Sequence, residues 1–366
     1  MSTENNTSQR NMGIELLRIV AMFSIIVLHV LGQGGVLNKA PALSKNYEAA
    51  WFLEILCYYG VPAYAIITGY VSNKAKFYAT NLVYLWLQVF FYNILAIVIF
   101  LALGIGSIGP MISMTIFPIS QECYWYFTAY AGAFFFIPAI KLVIEKLDKP
   151  YHDLLFYAII IFWSVATIVP GNNAIVAWNG ASFAWILACI YIGAYMSKYQ
   201  IFMKLSKAML FTIYIVSMII TFASKYLIEV IYGAPNWHID RGNILISYNS
   251  PTVLLASMAM VVLFSKIDVN NGVKKVVRLV APLTFGVYLS NCQPMVFTYL
   301  MAGRFNEYTT YPVWKLLICT ICSALVIFLI GIAIDAIRKF IFDIFNLKGR
   351  LHAFEKYVLM CYTKKS

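Results

Sequence analysis

The stretch GIELLRIVAMFSIIVLHVL, residues 13–31, decides the class of this chain. It is apolar apart from Glu15, Arg18, Ser24 and His29. As a helix it would be roughly 28 Å long, close to the thickness of the hydrocarbon layer of a membrane. Arg18 and His29 are eleven residues apart, and eleven steps of about 100° return nearly to the starting direction. Both side chains therefore share one helical face, separated by roughly 16 Å along the axis, and Glu15 joins that face three residues before Arg18. Ionisable groups inside a membrane helix are costly and mark functional sites by default.

The rest of the sequence carries the same signature. Of 366 residues, 62% are hydrophobic and only 11% are charged, against about 25% charged in an ordinary soluble domain. Apolar runs fill almost the whole length, so the sequence predicts an all-α, polytopic integral membrane protein without a separate soluble module. The first run is followed directly by others and has no small-x-small cleavage site near Leu31–Gly35, which argues against a secretory signal peptide. The seven cysteines are scattered, mostly within apolar runs, and suit packing rather than a disulfide framework. The formal charge of +12 fits basic cytoplasmic loops better than nucleic-acid binding.

Ten candidate spans can be placed, near 13–31, 51–71, 80–104, 123–143, 153–170, 181–197, 208–232, 250–265, 279–300 and 313–335. With the N-terminus inside, 20 of the 27 Lys and Arg residues fall on inner segments, and only Lys39, Lys45, Lys225, Arg241, Arg304 and Lys315 fall outside the membrane on the other face or at outer helix ends. The positive-inside rule then puts both termini in the cytoplasm. Three segments follow: a tail at 1–12, a transmembrane domain at 13–337, and a basic amphipathic tail at 338–366, which suits the anionic inner leaflet. Trp and Tyr gather at span ends, as in interfacial belts, and the outer loops also suit stacking on sugars.

Among ionisable groups, His29 is the one histidine of four that falls within a predicted span; His152, His238 and His352 fall in loops or the tail. It is either a proton-transfer group at membrane depth or a buried histidine bonded across helices. Arg18, about one turn from the inner surface, either snorkels to the headgroups or clamps a phosphate-bearing cytosolic donor. Glu15 is placed to pair with Arg18 and hold its rotamer. Glu54 lies near the start of the second span. Lys225 with Glu229, and Asp335 with Arg338, are spaced to neutralise each other on their helices. Trp125 and Tyr126 open the fourth span beside Glu122. His238, Asp240 and Arg241 form the most polar outer cluster, suited to docking an extracytoplasmic acceptor and equally to a plain solvated loop.

Two motifs mislead. Gly104-Ile-Gly-Ser-Ile-Gly109 matches GxGxxG but lacks the strand–turn–helix setting that makes the motif a dinucleotide site. Cys319-Thr-Ile-Cys322 matches CxxC but lies inside the tenth span. No Walker loop, HExxH or GxSxG is present.

The first span resembles the acyltransferase 3 family of membrane O-acyltransferases, whose signature is an Arg, ten residues, then a His; here it is Arg18 and His29. Four further stretches resemble the family in the same order: Val61-Pro-Ala-Tyr-Ala-Ile-Ile-Thr-Gly-Tyr70, Trp125-Tyr-Phe, Tyr248-Asn-Ser-Pro251 and Thr284-Phe-Gly-Val-Tyr-Leu289. Where the family often continues Tyr-Leu-Ile-His, this chain has Tyr288-Leu-Ser-Asn291, and Asn291 cannot act as a base. The first acidic position is Glu15 rather than Asp, and the Arg often found after the Ser-Gly-Tyr segment is replaced by Lys74 and Lys76 as the nearest basic residues.

The resemblance implies a bundle of about ten helices and acyl transfer, commonly of acetyl from cytosolic acetyl-CoA to hydroxyls of extracytoplasmic glycans at a bacterial plasma membrane. It gives Arg18 and His29 the essential pair, with Glu15 beside them and Arg18, Lys74 and Lys76 facing the donor phosphates. Glu54, Trp125, Tyr126, His238, Asp240, Arg241 and Asn291 become candidates for acceptor contacts, and no metal is implied. The partners expected are membrane lipids, acyl-CoA and a glycan acceptor. A polysaccharide exporter or other multipass transporter of the same fold is the alternative.

Overall fold

In a computed structural model, residues 10–72, 76–105, 108–168, 178–232 and 245–363 are described, and among them every regular element is a helix. The α-helices in chain order are α1 (Met12–Leu31), α2 (Val36–Lys39), α3 (Lys45–Cys57), α4 (Gly60–Ser72), α5 (Thr80–Ala102), α6 (Ile108–Ile116), α7 (Trp125–Phe134), α8 (Ile137–Lys146), α9 (Lys149–Ile159), α10 (Phe183–Tyr199), α11 (Lys207–Tyr232), α12 (Pro251–Ser265), α13 (Asn271–Val280), α14 (Thr284–Cys292), α15 (Val313–Ile344) and α16 (Leu347–Thr363).

Among the described residues six helical stretches are long and apolar enough to cross a membrane: Met12–Lys39, Lys45–Ser72, Thr80–Ala102, Lys149–Ile168, Lys207–Ile231 and Val313–Ile344. A seventh forms if α7 and α8, bent by 48° at their junction, are taken as one span. The other three stretches read from the sequence fall on shorter pieces. Helix α10 has 17 residues and α12 has 15. The stretch 279–300 is divided among the end of α13, α14 and a π-helical turn at Val296–Met301. Helices walled by protein need not match the hydrocarbon thickness, and broken backbone at membrane depth is tolerated only where protein or a cavity covers it.

Helix α1 is the hub, touching α3, α4, α12, α13, α14 and α15. Its apolar residues run all round, as a fully surrounded helix requires. Asn11 caps it, its Oδ1 accepting from the N–H groups of Gly13 at 2.9 Å and Ile14 at 3.1 Å. Helices α4 and α10 cross where Gly69 faces Gly193. A Cβ on Gly69 would meet the Ile190 carbonyl oxygen at 1.8 Å, and one on Gly193 the Ile66 oxygen at 2.0 Å. Small residues let membrane helices approach backbone to backbone in this way.

Two ion pairs lie inside the bundle. On α11, Lys225 pairs with Glu229, whose Oε1 also accepts from the Tyr47 hydroxyl at 2.9 Å. On α15, Arg338 holds Asp335 with two bonds, Nε to Oδ1 at 2.6 Å and Nη2 to Oδ2 at 2.7 Å. The Tyr92 hydroxyl of α5 donates to the same Oδ1 at 2.9 Å. Both pairings agree with the sequence spacing, and α15 runs on past residue 337 to Ile344.

Contacts sort the loops into two ends. At one end Asn11 bonds the Ser265 carbonyl at 2.9 Å, Lys266 bonds the Met203 and Leu205 carbonyls at 2.6 Å each, and Lys198 bonds the Ile144 carbonyl. Helix α16 returns to the same end. The Glu355 carboxylate accepts from the N–H of Ala79 at 2.9 Å, the N–H of Thr80 at 3.0 Å and the Thr80 hydroxyl at 2.6 Å, capping α5. Desolvation works against the Glu355 charge, but these bonds prevail and hold the carboxyl below its ordinary range. His352 stacks on Tyr78, with ring centroids 4.0 Å apart, and bonds Asn81 at 2.9 Å. At the opposite end the Gly303 and Phe305 amides bond the Gln33 and Gly34 carbonyls at 3.1 and 2.9 Å. Arg18 thus lies in the half of α1 nearer the basic loops and His29 in the half away from them.

His152, expected in a loop, sits inside α9 and is fully buried, its Nδ1 3.0 Å from the Tyr191 hydroxyl. Pro150 occupies the first turn of α9, where a missing N–H costs nothing, so it starts the helix rather than interrupting it.

Candidate active site

The two polar residues of α1 face different neighbourhoods joined by an aromatic wall. His29 is half-buried and bonded through Nδ1 to the Oδ1 of Asn291. A carbonyl oxygen only accepts, so the proton of a neutral imidazole sits on Nδ1 and Nε2 keeps its lone pair. The Asn291 side chain is buried, and its Nδ2 has no hydrogen-bond partner. Cys292 places its Sγ 3.8 Å from both ring nitrogens of His29. Phe297 presents its ring edge-on to the imidazole, centroids 5.6 Å apart at 87°.

The backbone explains this convergence. Helix α14 ends at Cys292, ahead of Gln293 and Pro294. Proline cannot donate to the preceding turn, and the residue before it avoids helical geometry, so the helix stops there. The Gln293 Oε1 accepts from the Met295 amide at 2.7 Å and the Val296 amide at 3.1 Å, starting the π-helical turn that carries Phe297. Asn291 and Cys292 occupy the last turn of the broken helix and meet α1 at His29.

Around Arg18, the Nη1 lies 3.3 Å from Glu15 Oε2 and 3.4 Å from Oε1. The pairing agrees with the sequence expectation, and at 30% side-chain exposure the guanidinium keeps donors open to a ligand. The Tyr64 hydroxyl donates to the Arg18 carbonyl oxygen at 2.7 Å. Tyr126 and Tyr130 of α7 also lie within electrostatic reach of the guanidinium.

A run of rings links the two regions. Tyr130 stacks on Tyr126 at 6.3 Å, Tyr126 packs edge-on to Trp125 at 5.6 Å, Trp125 stacks on Tyr248 at 5.8 Å and 14°, and Tyr248 tilts over Tyr58 at 5.2 Å. The Tyr288 hydroxyl accepts from the Tyr126 amide at 3.2 Å, tying α14 to the start of α7. Trp125, Tyr126, Tyr130, Tyr58 and Tyr248 are all half-buried.

Glu54 stands beside this wall. It is 6% exposed, its Oε2 has no hydrogen-bond partner, and it interacts with Tyr58 and Tyr248. Tyr248 is within electrostatic reach of both Glu54 and Cys292, so its ring stands between the carboxyl and the thiol that touches His29.

The structure therefore joins His29 to Asn291 and Arg18 to Glu15, and sets Trp125 and Tyr126 in a run of rings that ends beside Glu54. Lys76 is exposed, 5.4 Å from the centroid of the Tyr78 ring, on the side of the bundle where α16 docks. Lys74, His238, Asp240 and Arg241 lie outside the described residues. Cys292, Phe297, Tyr58, Tyr64 and Tyr130 were not singled out from the sequence; the Gln293-Pro294 break beside Asn291 was the available signal for the first two. Among the described residues no three His, Cys, Asp or Glu side chains converge as metal ligands.

The acyltransferase 3 family model, described as an acyltransferase domain, matches residues 11–333. Neither a curated protein nor a solved structure matches the chain.

Proposed function

The chain belongs to the acyltransferase 3 family, and on that footing we propose that it transfers an acetyl group from cytosolic acetyl-CoA to a hydroxyl of an extracytoplasmic polysaccharide or its lipid-linked precursor, at a bacterial plasma membrane. The observation that carries this reading is the fixed His29: Asn291 occupies Nδ1, and Nε2 is left free to take a hydroxyl proton. In the proposed topology the bundle has ten passes, both termini are cytoplasmic, and the basic end faces the cytosol. Arg18, Lys74 and Lys76 then meet the donor phosphates, as planar and point cations do. The extended pantetheine arm follows the aromatic wall over the roughly 16 Å to His29. The acceptor arrives from the opposite end, where Glu54, Trp125 and Tyr248 offer a carboxyl and stacking faces to a sugar, with His238, Asp240 and Arg241 in the outer loop.

Catalysis needs proximity and a base. Holding the thioester and the hydroxyl in one protein-walled space converts an encounter between two solutes into a local event. His29 Nε2 takes the hydroxyl proton as the oxygen attacks the acyl carbon, and returns it to the departing thiolate. The test is acceptor-dependent release of CoA from acetyl-CoA by the purified, membrane-reconstituted protein. Activity is expected to vanish in both His29→Ala and Arg18→Ala while membrane insertion stays normal. Full activity in either variant overturns the assignment.

A further inference from the structure

Resting on that acyl-transfer reading, we infer that Cys292 is the nucleophile of a two-step transfer and carries the acyl group as a thioester between donor and acceptor.

The inference starts from placement. All seven cysteines are free thiols, and Cys57 and Cys189 are buried. Among the described residues Cys292 alone is given a contact with an imidazole, its Sγ 3.8 Å from the Nδ1 and Nε2 of His29. Nδ1 is already committed to Asn291, so Nε2 is the nitrogen open to the thiol proton. Cys292 is half-buried and within electrostatic reach of Tyr248, which also faces Glu54. Thiol, imidazole and carboxamide thus meet at one place, the three group types that the nucleophile–base–orienter logic of thiol-dependent acyl transfer uses. The break at Gln293-Pro294 ends α14 at this residue, so the thiol sits on a helix terminus rather than inside an interlocked turn.

The chemistry balances. In the first step Sγ attacks the carbonyl carbon of the acyl-CoA thioester as Nε2 of His29 takes the thiol proton. The bond from the carbonyl carbon to the CoA sulfur breaks, and His29 passes the proton to that sulfur, giving acyl-Cys292 and CoA thiol. One thioester replaces another, so the activation of the acyl group is retained. In the second step the acceptor hydroxyl gives its proton to Nε2 and its oxygen attacks the acyl carbon. The bond to Sγ breaks, and His29 returns the proton to Cys292. The sum is acyl-CoA plus alcohol to ester plus CoA thiol. The donor leaves before the acceptor binds, so the two substrates can use opposite ends of one passage without occupying it together.

The experiment uses the full chain in lipid nanodiscs with acetyl-CoA and no acceptor. The expected result is a burst of CoA release stoichiometric with protein, and a single acetyl group on the peptide containing Cys292, removed by neutral hydroxylamine. With acceptor, initial rates are expected to follow ping-pong kinetics. Cys292→Ala is expected to lose the burst and roughly a hundredfold or more of turnover. Cys292→Ser, nearly isosteric, checks that the bundle and the His29–Asn291 contact survive; it is expected to elute as the wild type does and to turn over far more slowly. Full turnover in Cys292→Ala, an acetyl group on another residue, or no acetyl-Cys292 in the wild type each overturns the inference. If turnover persists in Cys292→Ala but not in His29→Ala, transfer is direct and the function proposed above stands. If the wild type releases no CoA even with acceptor, that function itself fails.

Discussion

Asn291 Oδ1 fixes the Nδ1 of His29 from a helix 262 positions further along the chain. An acceptor at Nδ1 sets the tautomer and the ring orientation of the base, as the third member of a catalytic triad does. Asn291 thus orients the base by hydrogen bonding and takes no proton itself. Asn291→Ala is expected to lower kcat of acetyl transfer by about 10²-fold or more while KM for acetyl-CoA stays within about twofold. Asn291→Asp, which keeps an oxygen at that place, is expected to recover part of the rate. A change confined to KM would remove Asn291 from this role.

Arg18 is expected to act on donor binding. Arg18→Lys keeps the charge but loses the planar fork, so KM for acetyl-CoA should rise about tenfold, equivalent to about 1.4 kcal/mol, with kcat little changed. Glu15→Gln weakens only the rotamer support and should shift KM by less than Arg18→Lys does. Initial-rate kinetics in nanodiscs give both values, and a loss of kcat alone in Arg18→Lys would move Arg18 out of the donor site.

The Asp335–Arg338 pair is expected to matter for stability rather than chemistry. Asp335→Asn leaves the Arg338 guanidinium buried without its counter-charge, a cost of about 3–5 kcal/mol. Replacing both, as Asp335→Leu with Arg338→Met, removes the charges together and should recover most of that loss. Thermal melting of the detergent-solubilised protein measures the difference; equal melting of Asp335→Asn and the wild type would contradict the burial argument.

Glu355 gives a pH-dependent signature. Its carboxyl is held below the ordinary glutamate value of about 4.3, so its stabilisation is complete above that value and is lost as pH falls through the lower folded value. Glu355→Gln should cost about 1 kcal/mol at neutral pH, as loss of a charged helix cap does. The gap from the wild type should narrow below about pH 4. A gap that stays constant with pH would show that the carboxylate charge contributes nothing.

Helix α1 was legible almost to its ends, residues 13–31 against Met12–Leu31, because one apolar run and one face of polar residues define it locally. So were the Lys225–Glu229 and Asp335–Arg338 pairs, which obey the spacing of a single helix. What the sequence hid depends on the meeting of distant segments. Nothing local to Asn291 and Cys292 says that their broken helix ends against His29. His152 was misplaced because the apolar run was read from residue 153, whereas α9 begins four residues earlier at Lys149, with Pro150 in its first turn. The predicted spans 181–197 and 250–265 fall on α10 and α12, which are short because other helices, not lipid, cover them, and hydropathy alone does not distinguish those surroundings.

The family domain ends at residue 333, two positions before Asp335 and well short of Glu355. A chain trimmed at that boundary would strand the Tyr92 hydroxyl and leave the first amides of α5 bare. Residues beyond the family match thus hold two places of the bundle together, so the boundary drawn by similarity is not the boundary of the contacts.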